Sequence, residues 1–523
     1  MSRGSRMLLL VIFLVCTVPP AVSENSGSDH EYPWCGVNRI LSPEVHRGRP
    51  KLSGPEYCRV TPHFRVHYTT SGEDSTTWQY AESVAVYAET SRVRISNLGW
   101  ILPPPDNNNG GDSLYDFYIR NPSNIGAIGM CWPEDPYTNP YPDGYTSWAE
   151  VSNQENYTYL KTLVAHEFHH GCQFRYSAWE SPWFRENTSE YMEEIVYDDL
   201  NPLSWILNDS TNNPLVETYF PIDCEEGNYE YRGGLWPMFL HEYYSSQAPI
   251  KIWERCGLHT GEHTIDDIDW TLRNHFDSDL PKALSHYAIW RYFTGNRDDG
   301  IHFEEGWRYR ESSILRVHNT YPATGDEDTC DPSGPGGCDF IQLADFDSQR
   351  VTIFFDGENN YDWAAYVLGI KGNTSVEYKI LLETTEDTGR ITIPGWEYDT
   401  LVIVPVVTQW SGSPDELTFS YRVNLGDEVS LFEFSSLVDR LDLKISPNPA
   451  GPPIIISYSL PDNHRWAKLL VFDALGRKVE TFIPSGSSKG SLRWDRDPGK
   501  SGVYFLRLVT DVGTVQKKLI LIR

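Results

Sequence analysis

The run Leu160-Lys161-Thr162-Leu163-Val164-Ala165-His166-Glu167-Phe168-His169-His170-Gly171 constrains this chain more than any other stretch. His166 and His170 lie four residues apart, so on a helix their imidazoles leave one face a turn apart and can grip a single metal ion, with Glu167 beside them. The residue types suit that chemistry. Two neutral imidazoles leave Zn²⁺ cationic enough to lower the pKa of a bound water, and an adjacent carboxylate can take that water's proton. Glu167 is the candidate general base. Chance alone can supply an HExxH, but Leu160, Leu163, Val164 and Phe168 recur at helical spacing and predict a half-buried helix rather than a loop. A second helix-compatible run, Trp183 to Glu194, follows with an acidic face, so a third ligand is at hand.

At these residues the chain resembles the gluzincin metallopeptidases, in which a second helix supplies a glutamate as third zinc ligand. Trp183, Glu186, Ser189 and Tyr191 fall in register with that family's Trp-x-x-Glu-Gly-x-Ala-x-Tyr pattern, with Asn187 in place of the glycine. The resemblance implies Zn²⁺ on His166, His170 and Glu186. The interval from His170 to Glu186 is shorter than in the best-known members, whereas Glu190 has the thermolysin-like spacing and is the second candidate. Glu193 and Glu194 read as a solvated acidic face. Tyr229-Glu230-Tyr231-Arg232-Gly233-Gly234 resembles the Tyr-x-Lys-Gly segment of aminopeptidase-type gluzincins, whose phenol donates to the developing oxyanion, and this makes Tyr231 a candidate for that role. Arg232 and Gly233 depart from the pattern. No Gly-x-Met-Glu-Asn occurs, which points to an endopeptidase.

The chain opens with Arg3, Arg6 and the apolar run Met7 to Val15, then Ala21-Val22-Ser23, as a secretory signal over residues 1–23 does. No later run is long and apolar enough to be transmembrane. Eight cysteines remain after Cys16: Cys35, Cys58, Cys131, Cys172, Cys224, Cys256, Cys330 and Cys338. An even count in an exported chain predicts disulfides, Cys330–Cys338 first because it closes a short Gly/Pro loop. The net charge of −30 becomes −32 without Arg3 and Arg6, which excludes nucleic acid and anionic membrane as partners and suits solubility outside the cell.

Residues 24–325 read as the peptidase domain, with 24–57 an ordered arm or a propeptide. Phe64 to Thr70 and Ser113 to Arg120 alternate as strands, and Thr77 to Leu98 has helical periodicity. Asp106, Asn108 and Asp112 carry oxygens that Ca²⁺ accepts, though a solvated turn is the simpler reading. Gly144 to Val151 is expected to be the sheet edge along which an extended substrate pairs. This order of elements resembles a family of secreted bacterial metallopeptidases from about Phe64 to Tyr309. His169 reads as a packing residue, and His259 and His263 as part of a loop.

Beyond Asn319 the composition shifts to all-β. Residues 326–340 are expected to be a disulfide-closed linker, 341–440 a β-sandwich with strands such as Val351 to Phe355 and Leu401 to Val407, and 441–523 an Ig-like domain. In that last stretch Asp473-x-x-Gly476-Arg477 and Gly502-Val503-Tyr504 strongly resemble the C-terminal domains that route proteins through the type IX secretion system. The whole reads as an α+β zincin-like domain followed by two all-β domains: a secreted or surface zinc endopeptidase acting on protein or peptide, and engaging the type IX machinery. The rival readings are a surface adhesin that keeps the scaffold without turnover, and a metallohydrolase of non-peptide bonds.

Overall fold

The computed structural model of the chain describes residues 35, 48–209, 211–327, 332–346, 349–372, 374–383, 387–410, 417–426, 442–445, 454–460, 466–473, 477–484, 489–494, 501–510 and 513–521. The signal segment 1–23 and Cys330 lie outside them. Helices and several β-sheets make up the fold, and the C-terminal region is β-rich. Two compact units result, one ending at Asp427 and one beginning at Glu428.

The first unit starts with a mixed sheet of β1 (Glu56–Val60), β2 (Phe64–Thr69), β3 (Tyr115–Arg120), β4 (Gly129–Pro136) and β5 (Tyr145–Ser152), in the order β1-β2-β3-β5-β4. β2, β3 and β5 run parallel, while β4 pairs antiparallel with β5 and forms the edge. This corrects the expectation for Gly144 to Val151: that segment is β5, hydrogen-bonded on both sides, and every one of its residues is buried. The hairpin from β4 to β5 moves the edge one strand outward. No local pattern in β5 distinguishes a strand with two neighbours from one with a single neighbour.

α1 (Trp78–Leu98) begins where the Thr77 hydroxyl accepts from the Tyr80 amide and ends at Gly99, whose φ of 107° is open to glycine. A single turn, α2 (Pro122–Ile125), leads to β4. α3 (Tyr157–Tyr176) is capped by the Asn156 side chain, which accepts from the Thr158 and Tyr159 amides. From Leu160 onward nearly all of α3 is buried, because β4 and β5 cover one side and α1 and α4 (Pro182–Val196) cover the others. A helix enclosed in this way can hold polar groups only if each is satisfied within the protein. α5 (Pro202–Leu207), α6 (Leu235–Phe239), α7 (Ala248–Cys256), α8 (Thr264–His275) and α9 (Leu280–Tyr292) complete the helical part.

The sandwich begins earlier than residue 341. β6 (Arg316–His318) and β7 (Ala323–Glu327) already belong to its sheets, together with β8 (Ile341–Leu343), β9 (Arg350–Gly357), β10 (Trp363–Lys371), β11 (Thr374–Ile380), β12 (Thr388–Pro394), β13 (Thr400–Val407) and β14 (Phe419–Leu425). One sheet has the order β11-β10-β13-β8-β6 and the other β12-β9-β14-β7. Ile353, Phe355, Val367, Ile403 and Phe419 fill the space between them. On the outer face of β10 and β13, Ala364, Tyr366, Leu368, Val402, Val404 and Val406 bury Ala288, Ile289, Tyr292 and Phe293 from α9 and the residue after it.

The second unit holds two sheets, β15 (Asp442–Ile445), β16 (Ile454–Ser459) and β19 (Lys489–Trp494), and β18 (Lys478–Phe482), β17 (Ala467–Asp473), β20 (Gly502–Thr510) and β21 (Gly513–Leu521). Its core includes Ile456, Leu469, Val471, Trp494, Leu506 and Leu519.

Candidate metal centre

His166 and His170 leave the same face of α3, and α4 crosses it so that Glu186 stands between them. Glu186 Oε2 lies 3.1 Å from His166 Nε2 and 3.5 Å from His170 Nε2. The outer ring nitrogens are held by other acceptors. His166 Nδ1 meets Glu193 Oε1 at 2.8 Å, and His170 Nδ1 meets Gln173 Oε1 at 2.8 Å. With Nδ1 as donor in both rings, each Nε2 turns a lone pair toward the Glu186 carboxylate. Acceptors facing one another in a fully buried site need a cation or a proton between them. Glu186 Oε1 and both oxygens of Glu167 are buried without a hydrogen-bond partner, which adds to that demand. Two imidazoles and a carboxylate match the donor set of zinc.

Burial opposes the charge on Glu186, but the imidazoles of His170 and His166 outweigh it and bring the carboxyl down to about 2. His166 is also opposed by burial, yet Glu186 and Glu193 raise it well above its ordinary value. His170 is lowered, chiefly by burial. Glu167 is pushed up to about 8, mainly by burial, with His166 acting against the rise.

α3 and α4 are locked together by Gln173, whose amide donates to the Arg185 carbonyl and to Thr188 Oγ1 at 2.8 Å each. Gly129 opens the edge strand next to Glu167, where a Cβ would lie 2.2 Å from Glu167 Oε1. Asn187 stands where the resembling family has glycine. With its amide nitrogen turned to the Glu230 carbonyl at 2.8 Å it ties α4 to the segment before α6, and Gly233 leaves it the room. Tyr231 comes to the same place: its hydroxyl donates to the Cys35 carbonyl at 2.8 Å, and burial, then Glu186, raise its pKa far above normal.

Glu190 is not among the clustered ligand atoms. It is buried beside Gly234, where burial and then Glu193 raise its pKa, and it is Glu186 that stands at the imidazoles. Glu193 and Glu194 are not a solvated face: they are 2% and 3% exposed. Glu193 follows Glu186 by two helical turns, and that spacing was the available signal for its place behind His166. His169 packs edge-on against Trp100 with ring centroids 4.4 Å apart. His259 lies outside α7 and α8 and faces Asp267 at 3.0 Å. Asp106 pairs with Arg49 and Asp112 with Arg65, so the carboxylates considered for Ca²⁺ are taken by the chain's own cations.

Among the described residues no two cysteines are joined, while Cys330, half of the expected Cys330–Cys338 pair, lies outside them. The thiols are engaged singly instead. Cys58 lies 3.5 Å from His67, Cys131 lies 3.3 Å from the Tyr115 hydroxyl, and Cys338 accepts from Arg291 at 3.1 Å. Cys35 Sγ lies 3.5 Å from His170 Nε2, and nothing in the sequence pointed to that contact. Two groups of potential ligand atoms gather within 4.8 Å among the described residues: Cys35, His166, His170 and Glu186, all buried, and Glu56, Cys58 and His67, largely exposed.

Residues 444–522 match the family described as "Secretion system C-terminal sorting domain". The C-terminal unit is therefore a type IX secretion sorting domain that engages that machinery, and the protein is secreted or held at the cell surface. No described helix is long and apolar enough to cross a membrane. Among curated proteins, none matches the chain in sequence. Solved structures similar to parts of it include a biofilm-associated protein BSP domain (10% identity, TM-score 0.14, covering 34% of this chain and 45% of that one). A β-glucuronidase from an uncultured Clostridium species is 11% identical, with TM-score 0.13, over 35% of this chain and 34% of that one. The adhesin domain of Epf from Streptococcus pyogenes is 10% identical, with TM-score 0.12, over 34% and 69%. The chain thus spans less than half of the first two, and likenesses this slight carry no argument.

Proposed function

We propose that the first unit is a zinc-dependent peptidase of zincin-like architecture, most simply an endopeptidase, exported by the sorting domain. The convergence of His166, His170 and Glu186 from two helices, with both outer ring nitrogens already held, carries this reading. A zinc ion there would supply the Lewis acidity that polarises a peptide carbonyl and makes water nucleophilic near neutral pH. The antiparallel edge of β4 offers main-chain groups to an extended substrate. Glu167, beside Gly129 on that edge, would take the proton from the attacking water and pass it to the leaving amine. Tyr231 already donates to a main-chain carbonyl at the site, and the same hydroxyl would donate to the carbonyl oxygen of a scissile bond as charge develops on it.

The test is hydrolysis of a broad peptide library by the full chain. Activity that depends on zinc, disappears with a chelator and is absent from a folded, zinc-loaded Glu167→Gln variant supports the reading. Zinc-loaded protein that cleaves no peptide either as wild type or as Cys35→Ser, whose thiol lies against His170, turns it down: ester turnover alone would then favour a non-peptide hydrolase, and no turnover at all an adhesin.

A further inference from the structure

We propose that Cys35 is a fourth ligand of the same metal and holds the protein in a latent state. This rests on the peptidase reading above. Three contacts made by one residue carry it. The thiol joins His166, His170 and Glu186 in a set of ligand atoms all within 4.8 Å of one another, with Sγ 3.5 Å from His170 Nε2. The main chain of Cys35 bridges Gly129 in parallel, at the outer edge of β4 and next to Glu167. The Cys35 carbonyl accepts from the Tyr231 hydroxyl at 2.8 Å.

Each contact occupies a feature that turnover needs. Zinc sites with four protein ligands are closed, whereas catalytic sites leave one position for water or substrate. A thiol ligates as its thiolate, releasing its proton to solvent, and two imidazoles, a carboxylate and a thiolate fill four positions. The bridge at Gly129 takes up edge-strand groups that an extended substrate would pair with. The bond from Tyr231 is already spent on the chain's own carbonyl. Cys35 is only 1% exposed, buried together with the three groups it joins.

The test is zinc X-ray absorption on the full chain loaded with one equivalent of zinc, in wild type and Cys35→Ser. Wild type should show one sulfur neighbour at about 2.3 Å among nitrogen and oxygen ligands at about 2.0–2.2 Å. In Cys35→Ser the sulfur neighbour should vanish while zinc stays bound, and peptide hydrolysis should rise roughly ten-fold or more as the position opens to water. Wild-type zinc held by nitrogen and oxygen alone overturns the proposal while leaving the peptidase reading intact. So does an unchanged rate in zinc-loaded Cys35→Ser, or a sulfur neighbour that survives the substitution and so belongs to Cys58. Failure of wild type to retain zinc, or zinc retained equally well by His166→Ala, overturns both.

Discussion

Glu193 bears on the proposed metal position without reaching it, by holding His166 Nδ1 at 2.8 Å from inside the protein. Partners of this kind set the tautomer and basicity of the ring they hold, and their loss typically costs 10–100-fold in metal affinity. Glu193→Gln should therefore weaken zinc binding by about that factor in a competition titration, with the helical circular dichroism unchanged. Glu180 makes a prediction about pH. Burial raises its pKa from 4.5 to about 7, although Thr264 Oγ1 donates to it at 2.8 Å. The fold thus favours the neutral acid. The cost of ionising it is absent below 4.5, grows as pH rises, and is complete above about 7. Glu180→Gln should remove that cost, so its melting temperature should gain on the wild type between pH 5 and pH 8. At about 1.4 kcal/mol per pKa unit the gain corresponds to roughly 3 kcal/mol. Equal shifts at both pH values would refute it.

Among the elements, β4 combines two duties, closing the sheet and bordering the site. Gly129 meets both, since a methyl there would press on Glu167 Oε1 at 2.2 Å and Leu163 Cδ1 at 2.7 Å. On the proposed peptidase reading, Gly129→Ala should cut kcat by about ten-fold or more by displacing Glu167, while stability falls by only about 1–3 kcal/mol. Steady-state kinetics beside a denaturant titration would separate the two effects. This strand also shows how far the sequence could be read. That His166 and His170 share a face was legible because spacing along a helix sets the face on which a residue stands, Glu186 was singled out only by the resemblance to a family pattern, and α1, β2, β3 and β5 followed from periodicity. Which strand is the edge depends on pairing between segments, and periodicity within β5 carries none of that information. Glu193 and Glu194 looked like surface because their charge suggested it, while α4 is enclosed on all sides. Cys35 lies 135 residues from His170, and no local rule spans that distance.

At the scale of the molecule, the charge of −30 and the sorting domain agree on export, and the helical part and the sandwich form one compact unit. α9 is the reason the unit does not divide at residue 341. One of its sides belongs to the core that includes Trp236 and Leu284, and the other is covered by β10 and β13. A chain ending at residue 427 should stay soluble and monomeric in size-exclusion chromatography, whereas one ending at residue 315 should aggregate, because Ala288, Ile289, Tyr292 and Phe293 would face water as a contiguous patch. The sandwich is therefore less a passenger than half of the wall behind α9. Heat should dismantle wall and helix together, and a calorimeter should register residues 48–426 as a single endotherm in which loosening either part loosens the other.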